Sequence, residues 1–268
     1  MLSVTVLGSG SAGNAVLVRS PRTAVLLDAG LSARQLVLRL RACGVEPETV
    51  GGVLLTHEHS DHAQALPVFC RKHGVPVYAN GGTAGALRGA PGLAGVNWKL
   101  FQTGAPFGLE DLEIQSFSVP HDASDPVGFV VRHNGSAVGY LTDLGFATKL
   151  VRERIRGVQT LLIETNHDEK LLQEDVRRPW SIKQRILSRH GHLSNTAAAE
   201  VVADVGGEGL VRAILCHLSR DCNRPDLAVA AVSARTGPQV EVFAASQAEP
   251  TPVCDVAVRQ EIFPAAMR

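Results

Sequence analysis

The chain has 268 residues, 45% of them hydrophobic and 19% charged, enough apolar content to build a sizeable core. Lys plus Arg (26) equals Asp plus Glu (26), so bulk charge attracts no polyanion, and any such partner must meet a local patch. Aromatic content of 4% argues against an extended base-stacking platform, and five scattered cysteines without Cys-x-x-Cys spacing argue against a disulfide framework. Residues 2–7 predict a β-branched strand with no basic leader before it. No apolar run reaches the span of a membrane helix, so the expectation is a cytoplasmic protein with no membrane partner. The run Gly8-Ser9-Gly10-Ser11-Ala12-Gly13-Asn14 leads to a strand at 15–19. Its glycines can bring amides close to a phosphate, but a hairpin connection is the preferred reading, and no Gly-Lys-Ser/Thr ending makes it a nucleotide loop. A strand at 24–27 ends in Asp28, which either caps the next turn or orients a metal-bound histidine from behind. Ser32 caps a helix to Arg41, with Leu36, Leu40 and Cys43 on one stripe and Gly44 as its stop.

The strand at 52–55 delivers Thr56-His57-Glu58-His59-Ser60-Asp61-His62. Side chains two apart in extended chain share a face, so His57 and His59 aim together, Glu58 points away, and a turn brings Asp61 and His62 from a second direction. Imidazole nitrogen and carboxylate oxygen are ligands for zinc and its first-row neighbours, and four such groups from two directions suit two adjacent divalent ions.

A helix over 63–73 is strained or delayed by Pro67, and His73 reads as its C-terminal cation. A strand at 75–79, a small helix and loop over 81–95, and strands at 98–102, 112–118, 127–133 and 136–142 follow. The last two are joined by a His133-Asn-Gly-Ser turn, with His133 expected in solvent. His121 and Asp143 each stand just past a strand end. Helices near 148–156, 167–175, 179–189, 195–205 and 225–235 alternate with strands at 160–164, 211–215 and 239–243. The strand at 211–215 runs into Cys216-His217-Leu218-Ser219, where alternation turns Cys216 into the core. Residues from about 246 to 268 read as a surface tail. With no repeat and no linker, the expectation is one α/β domain over 1–268, an αββα sandwich of two mixed sheets with helices outside.

The His-x-His-x-Asp-His order resembles the signature of the metallo-β-lactamase superfamily. That resemblance implies His57, His59 and His121 on one metal, Asp61, His62 and His217 on the other, Asp143 bridging, and Asp28 supporting a ligand from behind. A metal pair in that arrangement makes a water acidic enough to act as a nucleophile and clamps the oxygens of a displacement. Histidine-rich ligation favours zinc, whereas the carboxylates also admit manganese. Gly8 to Asn14, Glu164-Thr-Asn-His167-Asp, Arg178-Pro-Trp-Ser-Ile-Lys-Gln-Arg, Gly191-His192-Leu-Ser-Asn195 and His217-Leu-Ser-Arg-Asp-Cys-Asn223 together resemble the YycJ/WalJ family, up to about residue 243. Cys222 departs from that pattern, which usually has Asn.

The family core is similar to RNase Z and RNase J, whose acid–base pair falls here on Glu164 and His192; Asp61 joins them as a catalytic carboxylate. Asn14, Asn166, His167 and Asn195 are implied substrate contacts. Between residues 176 and 199 the chain carries Arg177, Arg178, Lys183, Arg185 and Arg189 and no acidic residue, a patch suited to backbone phosphates. Trp180 and Phe107 can stack a base, although each reads first as core. The resemblance implies a two-metal phosphodiesterase acting on nucleic acid, DNA in preference to RNA, and points to a 5′-to-3′ DNA exonuclease in DNA repair or maintenance. The alternatives are a ribonuclease of the same core, or a thioesterase or lactonase of the glyoxalase II type.

Overall fold

Alternation along the strands sorts the side chains into three layers of core. In β1 (Ser3–Gly8) and β2 (Ala15–Arg19), Val4, Val6, Val16 and Val18 enter the space between two sheets, while Leu7, Ala15 and Leu17 face helices on the other side. The computed structural model describes residues 1–258, apart from the side chain of Glu208. The first sheet adds β3 (Ala24–Leu27), β4 (Val50–Leu54), β5 (Val77–Ala79), β6 (Trp98–Leu100) and β14 (Cys254–Asp255), in the order β14-β1-β2-β3-β4-β5-β6. The second runs β13-β12-β11-β10-β9-β8-β7, built from β7 (Pro106–Leu109), β8 (Leu112–Ser118), β9 (Val127–His133), β10 (Ser136–Leu141), β11 (Thr160–Glu164), β12 (Arg212–Cys216) and β13 (Glu241–Ala244).

Between the sheets lie Val25, Leu27, Ile114, Phe129, Tyr140, Leu162, Ile214 and Cys216, so Cys216 is core as its alternation requires. Helices α1 (Ala33–Ala42) and α3 (Leu66–His73) cover the first sheet through Leu36, Leu40, Leu66 and Phe69. Helices α5 (Lys149–Ile155), α8 (Asn195–Val205) and α9 (Pro225–Ser233) cover the second. This is the sandwich that the sequence predicts. Four shorter or edge elements complete it: α2 (Ser60–Ala63), α4 (Gly81–Arg88), α6 (Glu169–Glu174) and α7 (Trp180–Ile186). Among the described residues no helix is long and apolar enough to cross a membrane.

Several local readings change. The helix expected over 63–73 begins inside the metal motif as α2 and restarts as α3, with Pro67 in its first turn, where the missing N–H is harmless. His133 is buried rather than solvent-facing, with its Nδ1 3.0 Å from the Asp111 carbonyl, because the tight Asn134-Gly135 turn folds the β9 end against the turn before β8. Trp180 is 63% exposed and is not core. Phe107 stacks between Tyr78 and Phe101 (5.7 and 5.3 Å between centroids), lining a cavity of about 450 Å³ at the open edges of the two sheets. The expected tail also docks in part: Thr251 N donates to Val6 O (3.0 Å), and Val4 pairs with Cys254 in register. Its apolar residues Cys254 and Val256 are buried against the edge of the first sheet, which would otherwise be left unpaired. Residues 259–268 lie outside the described residues.

Candidate metal centre and substrate pocket

In the first sheet β3 to β6 are parallel, and in the second β10 to β13 are parallel; hairpins bring β1 and β8 into the same directions. The strand ends that follow β1, β3, β4, β8, β10, β11 and β12 therefore share one rim. The two sheets meet there: the rings of His57, after β4, and His121, after β8, are 5.1 Å apart. At this rim three residues past strand ends hold left-handed backbone: Asp28 (φ 61°), Asp143 (54°) and His217 (55°). Such conformations cost roughly 1 kcal/mol or more each in a residue with a Cβ, and they persist where a side chain must turn back over the rim.

The metal motif makes a close approach that only glycine permits. Asn14 N donates to Asp61 O (2.8 Å) and Gly30 N donates to Asn14 O (2.8 Å), so a Cβ on Gly30 would stand 1.6 Å from Asp61 O. The turn so fixed brings ligand-type atoms together in overlapping groups, each within 4.8 Å: His57, His59 and His121; Asp61, His62 and His217; and Asp143 with His57 and His62. His62 Nε2 is 2.9 Å from Asp143 Oδ2, and His217 Nε2 is 3.2 Å from Asp61 Oδ2. Behind them Asp28 accepts from Thr56 N (2.8 Å), His62 Nδ1 (2.7 Å) and the Tyr140 hydroxyl (3.0 Å). That bond fixes the tautomer of His62 and leaves Nε2 for the centre. Glu58 points away, as expected, and accepts from Ser124 N and Oγ (2.8 Å each), tying down the loop that carries His121.

Two observations fit this cluster to divalent cations. His57 Nε2 and His121 Nε2 are buried without a hydrogen-bond partner, a costly state that a shared ion relieves. The electrostatics agree. Burial, then the neighbouring His62, holds the His57 pKa well below the ordinary value. Burial opposes charge on His217 and His62, but Asp143 and the other carboxylates prevail and push His217 up to about 10 and His62 well above the imidazole range. Asp143 is held well below the carboxylate range despite its burial, by His217 and His62. Protons on two imidazoles thus occupy the positions that cations would take, and ion binding would release them.

Beside this cluster, Glu164 is wholly buried at the end of β11. Its Oε1 lies 2.7 Å from His192 Nδ1 and 2.8 Å from His217 Nδ1, while Oε2 accepts from Leu144 N (3.1 Å) and Leu193 N (3.0 Å). Burial alone would lower the His192 pKa, but the Glu164 charge and hydrogen bond raise it.

A cavity of about 250 Å³ opens over these groups, walled by Asp61, His121, Asp143, Asn166, Arg178, Arg185, His192 and His217, and by Ser11 and Ser219, which the sequence reading did not single out. Ser219 belongs to the His217-Leu218-Ser219 motif, and Ser11 to the glycine-rich run. Of the residues expected to touch substrate, Asn166, Arg178 and Arg185 face this cavity. The others do not line it. Lys183 is buried and donates to Gln173 O (2.7 Å). Asn14 is buried beneath the metal motif, and Asn195 is paired with Asn223 (3.0 and 2.8 Å). Arg189 lies over the Phe146 ring (4.4 Å), and Arg177 faces solvent between Asp175 and Asp221. His167 is buried, does not line the cavity, and has both ring nitrogens without a partner. The basic stretch is also less basic in space than in sequence: Arg178 bonds Asp175 and Asp221, and Arg185 Nε donates to Asp122 (2.5 Å).

Residues 23–218 match the beta-lactamase superfamily domain. Over 233 residues the chain is 38% identical to exodeoxyribonuclease YycJ of Bacillus anthracis, covering 87% of this chain and 88% of that one. It is 34% identical over 227 residues to exodeoxyribonuclease WalJ of Streptococcus pneumoniae, covering 84% of each. Among solved structures it is similar to the metallo-β-lactamase fold protein YhfI of Bacillus subtilis, with a TM-score of 0.74 at 18% identity, covering 93% of this chain and 98% of the other. Sequence likeness along most of its length and a shared two-sheet architecture place this chain in the YycJ/WalJ family of the metallo-β-lactamase superfamily.

Proposed function

We propose that the chain is a phosphodiesterase holding two divalent ions, zinc or manganese, that acts in the cytoplasm as a 5′-to-3′ exonuclease on DNA in repair or maintenance. One observation carries the reading: a single cavity of about 250 Å³ brings candidate ligands, a carboxylate-backed histidine and two arginines together. The names of the YycJ and WalJ relatives supply the substrate class, and the five free thiols suit a reducing compartment.

In this reading His57, His59 and His121 would hold one ion and Asp61, His62 and His217 the other, with Asp143 as a further ligand. When bound, the ions would supply Lewis acidity and lower the pKa of a water to near neutrality. The chain's own groups do the rest. Arg178 and Arg185 neutralise and orient the backbone phosphate, each kept in place by its aspartate partner. Asp61, partly open to the cavity, is placed to accept the proton of the attacking water. His192 donates Nδ1–H to Glu164 and is left with Nε2 to carry a proton to the departing alkoxide.

The test is a cleavage panel. Purified protein with manganese or zinc is incubated with end-labelled duplex DNA, single-stranded DNA, RNA and a thioester. Stepwise loss of nucleotides from the 5′ end of DNA is the expected result. Faster turnover of RNA would replace the DNA assignment with a ribonuclease, and thioester turnover without nuclease activity would overturn the reading.

A further inference from the structure

The loop between β1 and β2 is pinned on both sides. On its inner side Ser9 Oγ accepts from His217 N (2.8 Å) and donates to Asn14 Oδ1 (2.8 Å), and Asn14 N donates to Asp61 O (2.8 Å). The loop therefore braces two segments that carry candidate ligands. On its outer side it is held by Gln247, from the segment after β13, beyond the matched superfamily domain. Ala12 N donates to Gln247 Oε1 (2.9 Å), and Gln247 Nε2 donates to Gly13 O (2.8 Å). Gln247 is anchored in turn by the Arg39 guanidinium of α1, which donates to Gln247 O (3.1 and 3.2 Å), Ala248 O (2.8 Å) and Leu7 O (2.6 Å).

Between these two sets of bonds Ser11 stands at the loop tip, exposed and lining the cavity. The amides of Gly10, Ala12 and Gly13 are committed to Asn14 Oδ1, Gln247 Oε1 and Gly10 O, so the loop is no amide nest for a phosphate. What it offers the cavity is a hydroxyl. Ser219 Oγ, which also lines it, accepts from Cys222 N (3.2 Å) and keeps its own proton free to donate. Arg178 and Arg185 line the same cavity, so a phosphate there would meet neutral donors as well as cationic ones.

We propose that Ser11 and Ser219 form a neutral subsite for the non-bridging oxygens of the phosphodiester, and that Gln247 is the positioning residue that keeps Ser11 in it. The proposal rests on the phosphodiesterase reading. A role for Gln247 in packing alone would make its effects independent of Ser11, which a double-mutant cycle resolves.

The experiment uses the metal-loaded full chain and the variants Ser11→Ala, Gln247→Met and the pair. Readouts are KM and kcat on bis-p-nitrophenyl phosphate, calorimetric affinity for a phosphorothioate-linked dithymidine, metal content, and hydrogen exchange at Ala12. A neutral donor to a charged oxygen predicts that each single change weakens KM and affinity by about ten-fold, with kcat within about two-fold and metal content unchanged. The pair should be no worse than Ser11→Ala. Exchange at Ala12 should quicken in Gln247→Met and not in Ser11→Ala, and Gln247→Glu, which keeps the acceptor for Ala12 N, should fall between. Multiplying effects, a fall in kcat with loss of metal, or an unaltered Ser11→Ala would overturn the subsite. Wild type that binds the dithymidine without hydrolysing the diester would instead sink the catalytic reading and leave the subsite standing.

Discussion

Replacing Glu164 by Gln removes one charge and one acceptor from a position where four donors converge: His192 Nδ1 (2.7 Å), His217 Nδ1 (2.8 Å), Leu144 N (3.1 Å) and Leu193 N (3.0 Å). The amide oxygen can serve only one pair. The backbone N–H groups cannot change their chemistry, so the oxygen will face them and the NH2 will face the rings. Both imidazoles must then accept at Nδ1 and carry their proton on Nε2. For His217 that blocks the atom aimed at Asp61 and the centre. For His192 it removes the carboxylate that favours the imidazolium. Two charge-assisted hydrogen bonds at about 1.5–3 kcal/mol each amount to about 3–6 kcal/mol, or roughly two to four decades of rate if felt fully in the transition state. That is the range ascribed to general acid catalysis. Because Glu164→Gln touches both rings, it is paired with His192→Asn, which spares His217. On DNA, whose leaving group is a poor alkoxide, both variants should lose about 10²–10⁴ in kcat. On bis-p-nitrophenyl phosphate, whose leaving group departs unprotonated, His192→Asn should stay within about ten-fold of wild type. Glu164→Gln should lose metal and fall on both substrates. Equal losses from His192→Asn on the two substrates, or none on DNA, would refute the proton-donor role and the tautomer argument behind it.

The metal-free protein should lose stability as pH rises from about 6.5 to 10. His217, whose folded pKa is about 10 against an ordinary 6.5, contributes stability that is complete below 6.5 and gone above 10, and His62 acts in the same direction. Added zinc or manganese should reverse the sign, because ligation needs neutral imidazoles and is favoured as pH rises. Thermal melts with chelator and with metal across this range check it; parallel curves would count against a cluster that exchanges protons for ions. Arg185→Ala should weaken DNA binding and flatten the plot of log affinity against log salt by about one unit, whereas Arg189→Ala, whose guanidinium lies over Phe146, should change the slope little. Fluorescence anisotropy at several salt concentrations decides between them, and equal slopes for both variants would put the phosphate contact elsewhere.

The rim was legible in sequence wherever a ligand follows a strand, because two-residue periodicity and a terminal polar residue are local signals. Hence His57, His59, His121, Asp143 and His217 could be placed at strand ends before their neighbours were known. Substrate contacts were less legible, since those depend on which charges the fold brings together. The stretch from 176 to 199 looked uncompensated, but Asp175 lies one residue outside it, and Asp221 and Asp122 arrive from distant segments to take Arg177, Arg178 and Arg185. Lys183 shows the same limit: on a short helix with Lys183, Gln184 and Arg185 in succession, nothing local says which cation turns inward to the Gln173 carbonyl.

The partner of a buried group is the hardest feature to read from a linear chain, and in this site it decides the chemistry. Asp28 is 34 residues from His62 and 112 from Tyr140, yet it sets the tautomer of one ligand; Glu164 is 53 residues from His217 and 28 from His192, and does so for both. Each carboxylate sits at the end of a strand and accepts from rings delivered by distant segments: His62 from α2, Tyr140 from within β10, His192 from the loop before α8 and His217 from the end of β12. The positive φ at Asp28, Asp143 and His217 is the backbone's part in that convergence. Relieving it with glycine at Asp28 or Asp143 would also delete the carboxylate, so strain and function cannot be separated at these positions. They are therefore sites where stabilising substitutions should be unobtainable without loss of the centre.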